Sequence, residues 1–258
     1  MTNKVKNIFS LDGRKAFISG AYGHLGESMS EALAEAGAHV YLNGRNLKKL
    51  KKICKKFKDV GLSAEIACFD ITDETELKKF FSSINKLDIV VNNAYSGGLG
   101  DIDHSSSEDF RNSYEVSVVA ANNIFKHSLK YLKKSNCASV INIASMYGMV
   151  SPDHKIYPDK KTTNSPFYGA SKAALIQWTK YAACQYGKEG IRVNSISPGP
   201  FPNMISSNQL SKALKNKSPL SKLGTPEELK GPILFLASDA SSYVNGANLV
   251  VDGGWTSS

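Results

Sequence analysis

Short apolar runs alternate along the chain with longer segments in which apolar residues recur every three or four positions. A short apolar run bounded by polar residues is typical of a buried strand, and the longer spacing is typical of an amphipathic helix. The strand pattern occurs at 15–19, 38–43, 64–70, 87–94, 138–145, 191–197 and 247–252. Helices are predicted over 24–37, 46–58, 73–84, much of 107–134, the segment around Tyr168, and residues near 226–237.

This alternation predicts the fold class. When strands and helices alternate, successive strands run parallel and helices cover both faces of the sheet. We therefore expect an α/β protein with a doubly wound parallel sheet of about seven strands. No linker, low-complexity tract or internal repeat divides residues 1–258, so the sequence predicts a single domain.

The composition is ordinary for a globular protein, with 41% hydrophobic and 21% charged residues. No apolar run reaches the ~18 residues that span a bilayer, and residues 1–15 lack the apolar core of a secretory signal. Cys54, Cys68, Cys137 and Cys184 are scattered, without CxxC pairs or histidine spacings suited to a metal. We expect a cytoplasmic protein with reduced cysteines, no metal and no membrane partner.

The formal net charge is +9, from 32 basic and 23 acidic residues. Seven lysines lie in 46–58, where Leu50, Ile53 and Phe57 recur at helical spacing, so the lysines are expected to cover a solvated helix face. The segment has no interleaved aromatic residues and no docking motif, so a nucleic-acid partner is not expected. A general attraction for anionic ligands stays open.

The turn between the first strand and the first helix has the glycine spacing of a nucleotide-binding loop. Gly20, Gly23 and Gly26 follow a G-x-x-G-x-x-G pattern in SGAYGHLG. Glycines there permit a tight turn and let backbone amides approach a pyrophosphate at the positive end of the helix. A tight structural turn without a ligand is the alternative.

The end of the second predicted strand bears on which nicotinamide cofactor is bound. An NAD site usually has an acid about 20 residues after the glycines, which binds the ribose 2′-hydroxyl. Here Gly44 stands where the acid is expected, and Arg45 follows it. A guanidinium suits a 2′-phosphate, so NADP is favoured and NAD stays possible. The alternative is that Arg45 caps the next helix or faces solvent.

The stretch FYGASKAAL, residues 167–175, places Tyr168 and Lys172 one turn apart on one face of a predicted helix. A free phenol has a pKa near ~10, and a neighbouring ammonium is expected to lower it. Tyr168 would then exchange a proton with an alcohol or carbonyl as hydride is transferred. Ser145, after a parallel strand, can hydrogen-bond the same oxygen. The alternative is a core tyrosine beside an exposed lysine.

Taken together, SGAYGHLG, NNA, INIAS, YGASK and IRVNSISPG resemble the short-chain dehydrogenase/reductase superfamily over residues 12–255. The resemblance implies a single-domain Rossmann fold and a homodimer or homotetramer paired through the long central helix and the Tyr168 helix. It also implies that Ser145, Tyr168 and Lys172 form the catalytic group, with Ser117 standing at the position of a supporting asparagine.

The same resemblance implies a cofactor cleft. In it, Asp70 should hydrogen-bond the adenine, and Pro198 and Gly199 should lie beside the nicotinamide. The residues implied to bind the cofactor are Gly20, Tyr22, Gly23, His24, Leu25, Gly26, Arg45, Asp70, Ile71, Asn92, Asn93, Ala94, Tyr168, Lys172, Pro198 and Gly199.

Three positions depart from the superfamily's usual pattern. His24 stands where many single-domain members have glycine, and the spacing is closer to that of sugar-nucleotide epimerases. Ser117 replaces an asparagine that normally helps to hold a proton-relay water near the lysine, and a serine can replace that asparagine only in part. Tyr95 replaces the small residue that usually follows NNA, and we expect its ring to narrow the cleft or stack on a ligand.

An insertion around 151–166 separates the catalytic serine and tyrosine, which lie 23 residues apart. Both anchors are catalytic, so the insertion should border the substrate pocket. The arrangement SMYGMVSPDHKIYP…YGASKAALIQWTKY resembles oxidoreductases of bacterial surface-sugar and flagellin-modification pathways, of the legionaminate-pathway type. The insertion carries basic residues and an aromatic residue, which suit a phosphorylated or nucleotide-linked sugar as the substrate: His154, Lys155, Tyr157, Lys160 and Lys161. The alternative is a solvated loop whose charges only keep it soluble.

These features predict an NADP-dependent oxidoreductase that acts on a hydroxyl or carbonyl carbon of a small molecule, most simply a sugar derivative. One alternative is a 3-oxoacyl carrier-protein reductase, whose acidic carrier would suit the basic surface. Another is a redox sensor that binds NADP without turnover. Measurement of turnover separates the sensor from the two enzymes.

Overall fold

Parallel strands form one sheet in the computed structural model, which describes residues 5–203 and 208–257. The strands are β1 (Lys15–Ile18), β2 (His39–Gly44), β3 (Ala64–Cys68), β4 (Ile89–Asn92), β5 (Ser139–Ile143), β6 (Arg192–Pro198) and β7 (Asn248–Val251). Their order across the sheet is β3-β2-β1-β4-β5-β6-β7, and every neighbouring pair is parallel. The predicted single-domain α/β fold with seven strands is confirmed.

Helices connect the strands and cover both faces of the sheet. They are α1 (Val5–Ile8), α2 (His24–Glu35), α3 (Leu47–Asp59), α4 (Glu74–Ser83), α5 (Ser107–Tyr114), α6 (Ala120–Leu132), α7 (Pro166–Tyr186), α8 (Asn208–Lys217) and α9 (Lys230–Ala237). Apolar side chains of α2, α3 and α9 pack on one face of the sheet, and those of α4, α6 and α7 pack on the other. Each fully buried large apolar side chain contributes roughly 1.5–3 kcal/mol.

Local sequence signals explain where several helices begin and end. The side chain of Asn46 caps α3 by accepting a hydrogen bond from the backbone of Lys49. Asp73 caps α4 by accepting hydrogen bonds from the backbone amides of Thr75 and Glu76. Gly37 follows α2 with a φ of +103°, a left-handed conformation that favours glycine. These signals are local, so the sequence alone locates these ends to within one or two residues.

The helices of the structure differ from the predicted helices in several places. The helix predicted over 107–134 consists of α5, a π-helical segment at Glu115–Val119, and α6. The helix predicted near 226–237 starts with a 3-10 turn, Pro226–Leu229, which Thr225 opens with a capping box, before α9 begins. Two helices were not predicted, the short α1 and the lysine-rich α8, which has few apolar residues. None of these differences changes the order of the strands.

Candidate active site

The strand order reverses between β1 and β4, and a cavity of about 370 Å³ lies at the carboxyl edge of the sheet there. Connections from β1 and β4 leave in opposite directions at such a point, which opens a crevice beyond the strand ends. Residues that follow different strands meet at this edge: Gly20 follows β1, Asn93 follows β4 and Ser145 follows β5. The fold therefore gathers segments that are far apart in the sequence.

The glycine-rich loop forms one wall of the cavity. Gly20 has a φ of +66°, and a Cβ on Gly26 would lie 2.1 Å from the Gly20 carbonyl oxygen. The side chain of Asn93 donates to the carbonyl oxygens of Ser19 and Gly20 at 2.9 and 3.1 Å, which fixes the loop. No side chain caps the N-terminus of α2 after Gly23, so its amides are available to a ligand. This cradle suits a pyrophosphate.

Most residues implied to bind the cofactor do line this cavity. Those that do so are Gly20, Tyr22, Gly23, His24, Leu25, Gly26, Arg45, Asp70, Ile71, Asn93 and Ala94. The lining also includes residues that the cofactor prediction did not contain, namely Asn43, Gly44, Phe69, Tyr95, Ser96 and Val116. Asn43 and Phe69 directly precede predicted positions at strand ends, whereas nothing in the sequence indicated Val116 on the π-helical segment.

Three other predicted cofactor residues lie at the same edge but outside the described lining of the cavity. Asn92 is buried behind it, where its amide donates to the side chain of Asn142 at 2.8 Å. Pro198 ends β6, and the amide of Gly199 donates to the carbonyl oxygen of Val251 on β7 at 2.9 Å. Their expected position beside a nicotinamide stays a prediction.

Arg45 and Asp70, both implied to bind the cofactor, contact each other on the cavity rim. A guanidinium nitrogen of Arg45 lies 3.4 Å from a carboxylate oxygen of Asp70, and 65% of the Arg45 side chain is exposed. Partial burial opposes ionisation of Asp70. Hydrogen bonds from the amide and hydroxyl of Thr72, together with Arg45, outweigh that effect and hold the pKa of Asp70 below its usual value. Arg45 therefore has a carboxylate beside it, a contact that could not be predicted from the sequence.

Tyr168 and Lys172 both contact Tyr95, which lines the cleft, and Ser145 lies beside Tyr168. Tyr168 and Lys172 themselves, although predicted to bind the cofactor, lie outside the described lining of the cavity. Tyr168 and Lys172 share a face of α7, as predicted, with the Lys172 Nζ atom 5.8 Å from the centre of the Tyr168 ring. Lys172 is 3% exposed, and its ammonium donates to the carbonyl oxygen of Ile143 at 2.7 Å. The Ser145 hydroxyl lies beside the Tyr168 phenol and accepts a hydrogen bond from the amide of Tyr147. The alternative of an exposed lysine is excluded by this burial.

The expected lowering of the Tyr168 pKa is wrong for this structure. Burial raises the pKa of Tyr168, and the neighbouring hydroxyl of Ser145 only partly offsets that effect. Burial alone lowers the pKa of Lys172 to about 8. Burial disfavours the charged form of each group. Because the pKa of Lys172 is about 8, this lysine has already lost its charge at the pH where the phenol ionises. The spacing in the sequence predicted that Tyr168 and Lys172 form a pair, but it could not predict how deeply the two side chains are buried.

Ser117 lies in the π-helical segment and is 3% exposed. The hydroxyl of Ser171 lies 3.4 Å from that of Ser117, and it also donates to the Tyr168 carbonyl oxygen at 2.9 Å. Ser113 on α5 donates to the Ser171 hydroxyl at 3.0 Å. These three buried serines form a hydrogen-bonded network that joins α5 and the π-helical segment to α7. Ser117 is therefore behind the predicted site, and its part in a proton relay stays a prediction.

The insertion packs against the segment that follows β4. The Gly100 amide donates to the carbonyl oxygen of Thr163 at 2.8 Å. Lys160 forms ion pairs with Asp103 at 2.9 Å and Asp101 at 3.7 Å. The Tyr157 hydroxyl lies 3.0 Å from the hydroxyl of Tyr147, the second residue after Ser145. The insertion thus lies next to the segment that follows Ser145, but the charge of Lys160 is already matched by carboxylates.

Two further properties concern only residues 5–203 and 208–257. Their His, Cys, Asp and Glu side chains include no group of three or more that could hold a metal ion. Their helices include none with the length and apolar character needed to cross a membrane.

Comparisons with known proteins match nearly the whole chain. The family model described as enoyl-(acyl carrier protein) reductase matches residues 20–256. The chain is 30% identical over 259 residues to gluconate 5-dehydrogenase of Gluconobacter oxydans (strain 621H), with 97% of each protein covered. It is 32% identical over 266 residues to 2-dehydro-3-deoxy-D-gluconate 5-dehydrogenase of Dickeya dadantii (strain 3937), with 97% of this chain and 98% of that protein covered.

A solved structure has the same architecture. It is a gluconate 5-dehydrogenase from Burkholderia cenocepacia J2315 in complex with NADP and tartrate, with a TM-score of 0.89 and 29% identity. The match covers 99% of this chain and 100% of that chain. Both the glycine-rich loop and the segment around Tyr168 lie inside every one of these matches.

Proposed function

The chain belongs to the short-chain dehydrogenase/reductase superfamily, and we propose that within it the protein is an NADP-dependent oxidoreductase acting on a sugar derivative. The reaction is hydride transfer between the nicotinamide and a hydroxyl or carbonyl carbon. The observation that carries the proposal is the meeting of Ser145, Tyr168 and Lys172 beside Tyr95, a residue that lines the glycine-rich cleft. A protein that only senses NADP has no need of this group.

The described residues fit NADP. The glycine-rich loop and the amides at the start of α2 suit the pyrophosphate, and Asp70, which lines the same cavity, is our candidate partner for the adenine. Gly44 supplies no carboxylate at the end of β2, and the exposed guanidinium of Arg45 can turn from Asp70 to a 2′-phosphate. The similar Burkholderia structure is named as a complex with NADP. When bound, NADP supplies the hydride acceptor or donor.

The residues of this chain move and hold the proton at the reacting oxygen. Because burial raises the pKa of Tyr168, its phenol stays protonated at neutral pH, the form that donates a proton to a carbonyl oxygen. Ser145 holds the same oxygen and stabilises the negative charge that develops on it. The Lys172 ammonium favours the phenolate left behind. In the reverse direction, the phenolate takes a proton from an alcohol.

The substrate class rests on the relatives and on the insertion. Two relatives are named as dehydrogenases of gluconate and of 2-dehydro-3-deoxy-D-gluconate, both sugar acids. The insertion at 151–166 is polar, as a pocket for a polyhydroxylated molecule requires. The resemblance to legionaminate-pathway enzymes supports a sugar derivative from sequence alone. Lys160 gives little support to a phosphorylated or nucleotide-linked sugar, because Asp103 and Asp101 already match its charge. The names of the two relatives make a sugar acid the better candidate.

The test is a substrate panel with the purified enzyme and NADPH. It contains keto sugar acids, neutral ketoses, nucleotide-linked keto sugars, a 3-oxoacyl carrier protein and cyclohexanone. We expect the highest kcat/KM for a sugar derivative. A preference for the 3-oxoacyl carrier protein would show that the protein is a carrier-protein reductase. NADPH binding without turnover of any member would contradict the proposed function.

A further inference from the structure

Tyr95 contacts both members of the catalytic pair. Its ring meets the Tyr168 ring edge to face, with centroids 4.8 Å apart and an interplanar angle of 73°. The Lys172 Nζ atom lies 5.3 Å from the Tyr95 ring centroid, within the range of a cation–π interaction. Since the same ammonium is 5.8 Å from the Tyr168 ring centroid, it lies beside two aromatic rings.

The Tyr95 ring is held in this position from its far end. Its hydroxyl is buried beside the hydroxyls of Ser113 and Ser165, although neither contact has the geometry of a full hydrogen bond. Gly97 supplies the space for that hydroxyl, because a Cβ there would lie 2.1 Å from it. The ring body therefore remains at the cleft, where Tyr95 is part of the lining.

Lys172 has few other partners. In the part of the chain that the structure describes, its ammonium makes one hydrogen bond, to the carbonyl oxygen of Ile143 on β5. The groups that face it are this carbonyl, the Tyr95 ring after β4 and the Tyr168 ring on α7, and no carboxylate contributes to its pKa. A buried ammonium without a carboxylate depends on such weaker contacts to keep its charge.

We propose that Tyr95 is a positioning residue of the catalytic group: its ring supports the Lys172 ammonium and holds the Tyr168 ring against it. It acts through these two residues and exchanges no proton itself. The inference rests on the proposed function only in taking Tyr168 and Lys172 as the acid–base pair. It explains why a large aromatic side chain follows NNA, where the superfamily usually has a small residue.

The first test measures the ionisation of Lys172 and needs no substrate. Lysine labelled with ¹³C at Cε is followed by NMR during a pH titration, and the Lys172→Arg spectrum identifies the Lys172 signal. Its pKa of about 8 lies well below the ~10.4 of a free lysine, so the signal titrates apart from ordinary lysines. Tyr95→Leu keeps apolar bulk but removes the π face. We expect this variant to lower the Lys172 pKa by about half a unit to one unit.

Two variants make the result specific to the ring. Tyr95→Phe keeps the π face and should leave the Lys172 pKa as in the wild type. Tyr114→Leu is the matched control, because Tyr114 also contacts α7, through the Ala170 carbonyl oxygen at 3.5 Å, but lies away from the ammonium. It should leave the pKa unchanged. If Tyr95→Leu does not fold, Tyr95→Met replaces it with a flexible side chain of similar volume.

The second test uses the best substrate of the panel. A lower Lys172 pKa removes the ammonium, and with it the support for the Tyr168 phenolate, between about pH 7 and 8, so kcat for alcohol oxidation in Tyr95→Leu should be lower than in the wild type over that range. Tyr95→Phe should restore the wild-type profile. An unchanged Lys172 pKa in Tyr95→Leu, or an equal shift in Tyr95→Phe and Tyr95→Leu, would overturn the proposal. The titration decides this even if the panel finds no substrate, in which case only the proposed function fails.

Discussion

The ring of Tyr22 packs directly over Gly44, where a Cβ would lie 2.3 Å from the Tyr22 Cε1 atom. Tyr22 belongs to the glycine-rich loop and Gly44 ends β2, so the contact joins the two segments that frame the Arg45 side of the cleft. The Lys49 Nζ atom lies 5.5 Å from the centroid of the same ring. The contact leaves no space for a side chain at the position where an NAD site carries its acid.

This contact predicts that Gly44→Asp alone will not produce an NAD enzyme. The new side chain must displace the Tyr22 ring, and its carboxylate repels a 2′-phosphate, so NADPH affinity should fall by at least about tenfold. NADH affinity should improve only in the double variant Tyr22→Ser with Gly44→Asp. Dissociation constants measured by fluorescence titration check this. Gly44→Ala is the control for the steric effect without charge. Tight NADH binding by Gly44→Asp alone would show that Tyr22 does not restrict the position.

Arg45 should account for most of a preference for NADPH over NADH. A charge-assisted hydrogen bond to the 2′-phosphate is worth roughly 1.5–3 kcal/mol, which is about one to two decades in affinity. We expect Arg45→Ala to weaken NADPH binding by that amount and to leave NADH binding nearly unchanged. Arg111→Ala, an exposed arginine on α5, serves as the control. Equal affinities of the wild type for the two cofactors would contradict the assignment of NADP.

Tyr168→Phe should abolish turnover while cofactor affinity stays near the wild-type value. The phenol acts in the chemical step, and loss of a proton-transfer group typically costs ~10² to 10⁴ in rate. Steady-state kinetics with the best substrate, together with NADPH titration, separates the two effects. Near-normal turnover in a folded Phe variant would show that another residue is the acid–base group.

The raised pKa of Tyr168 predicts opposite pH profiles for the two directions. Carbonyl reduction needs the protonated phenol and the Lys172 ammonium that supports the phenolate left behind. Its kcat should therefore stay level up to neutral pH and fall from about pH 8, where Lys172 loses its proton, and further as the phenol ionises. Alcohol oxidation needs the phenolate, so its kcat should rise with pH over the same range. Rates measured in both directions across a pH series check this. An oxidation rate that falls from neutral to alkaline pH would contradict the assigned role of Tyr168.

The sequence predicted those parts of the site that depend on local spacing. Gly20, Gly23 and Gly26 lie between a strand and a helix, and their function depends on that short segment alone. Tyr168 and Lys172 lie one helical turn apart, so the sequence determines that they share a face. The alternation of strands and helices is also visible in the sequence, and it was sufficient to predict a parallel sheet with helices on both faces.

The features that the sequence missed depend on contacts between distant segments. Arg45 pairs with Asp70, 25 positions away, and Lys160 pairs with Asp103, 57 positions away. Burial of Tyr168 depends on segments from several parts of the chain, and it reverses the direction expected for the pKa from Lys172 alone. No periodicity in the sequence reports such contacts or such burial.

The last prediction concerns assembly. We propose that the protein is a homo-oligomer that pairs through α6 and α7, as the superfamily resemblance implies. These helices form a groove lined in part by Phe125, Trp178 and Tyr181, and Tyr181 is 68% exposed. Two-fold pairing would bring the same groove of each copy together and cover these rings.

A charge at the centre of that groove should prevent pairing. Tyr181→Glu is expected to yield monomers by light scattering, because association would place like charges close together in an apolar interface. Val60→Glu is the matched control, since Val60 follows α3 and is 69% exposed outside the groove. It should assemble as the wild type does. If the wild type is a monomer at all concentrations, the proposed assembly is wrong. If Tyr181→Glu remains an oligomer, the subunits pair through another surface.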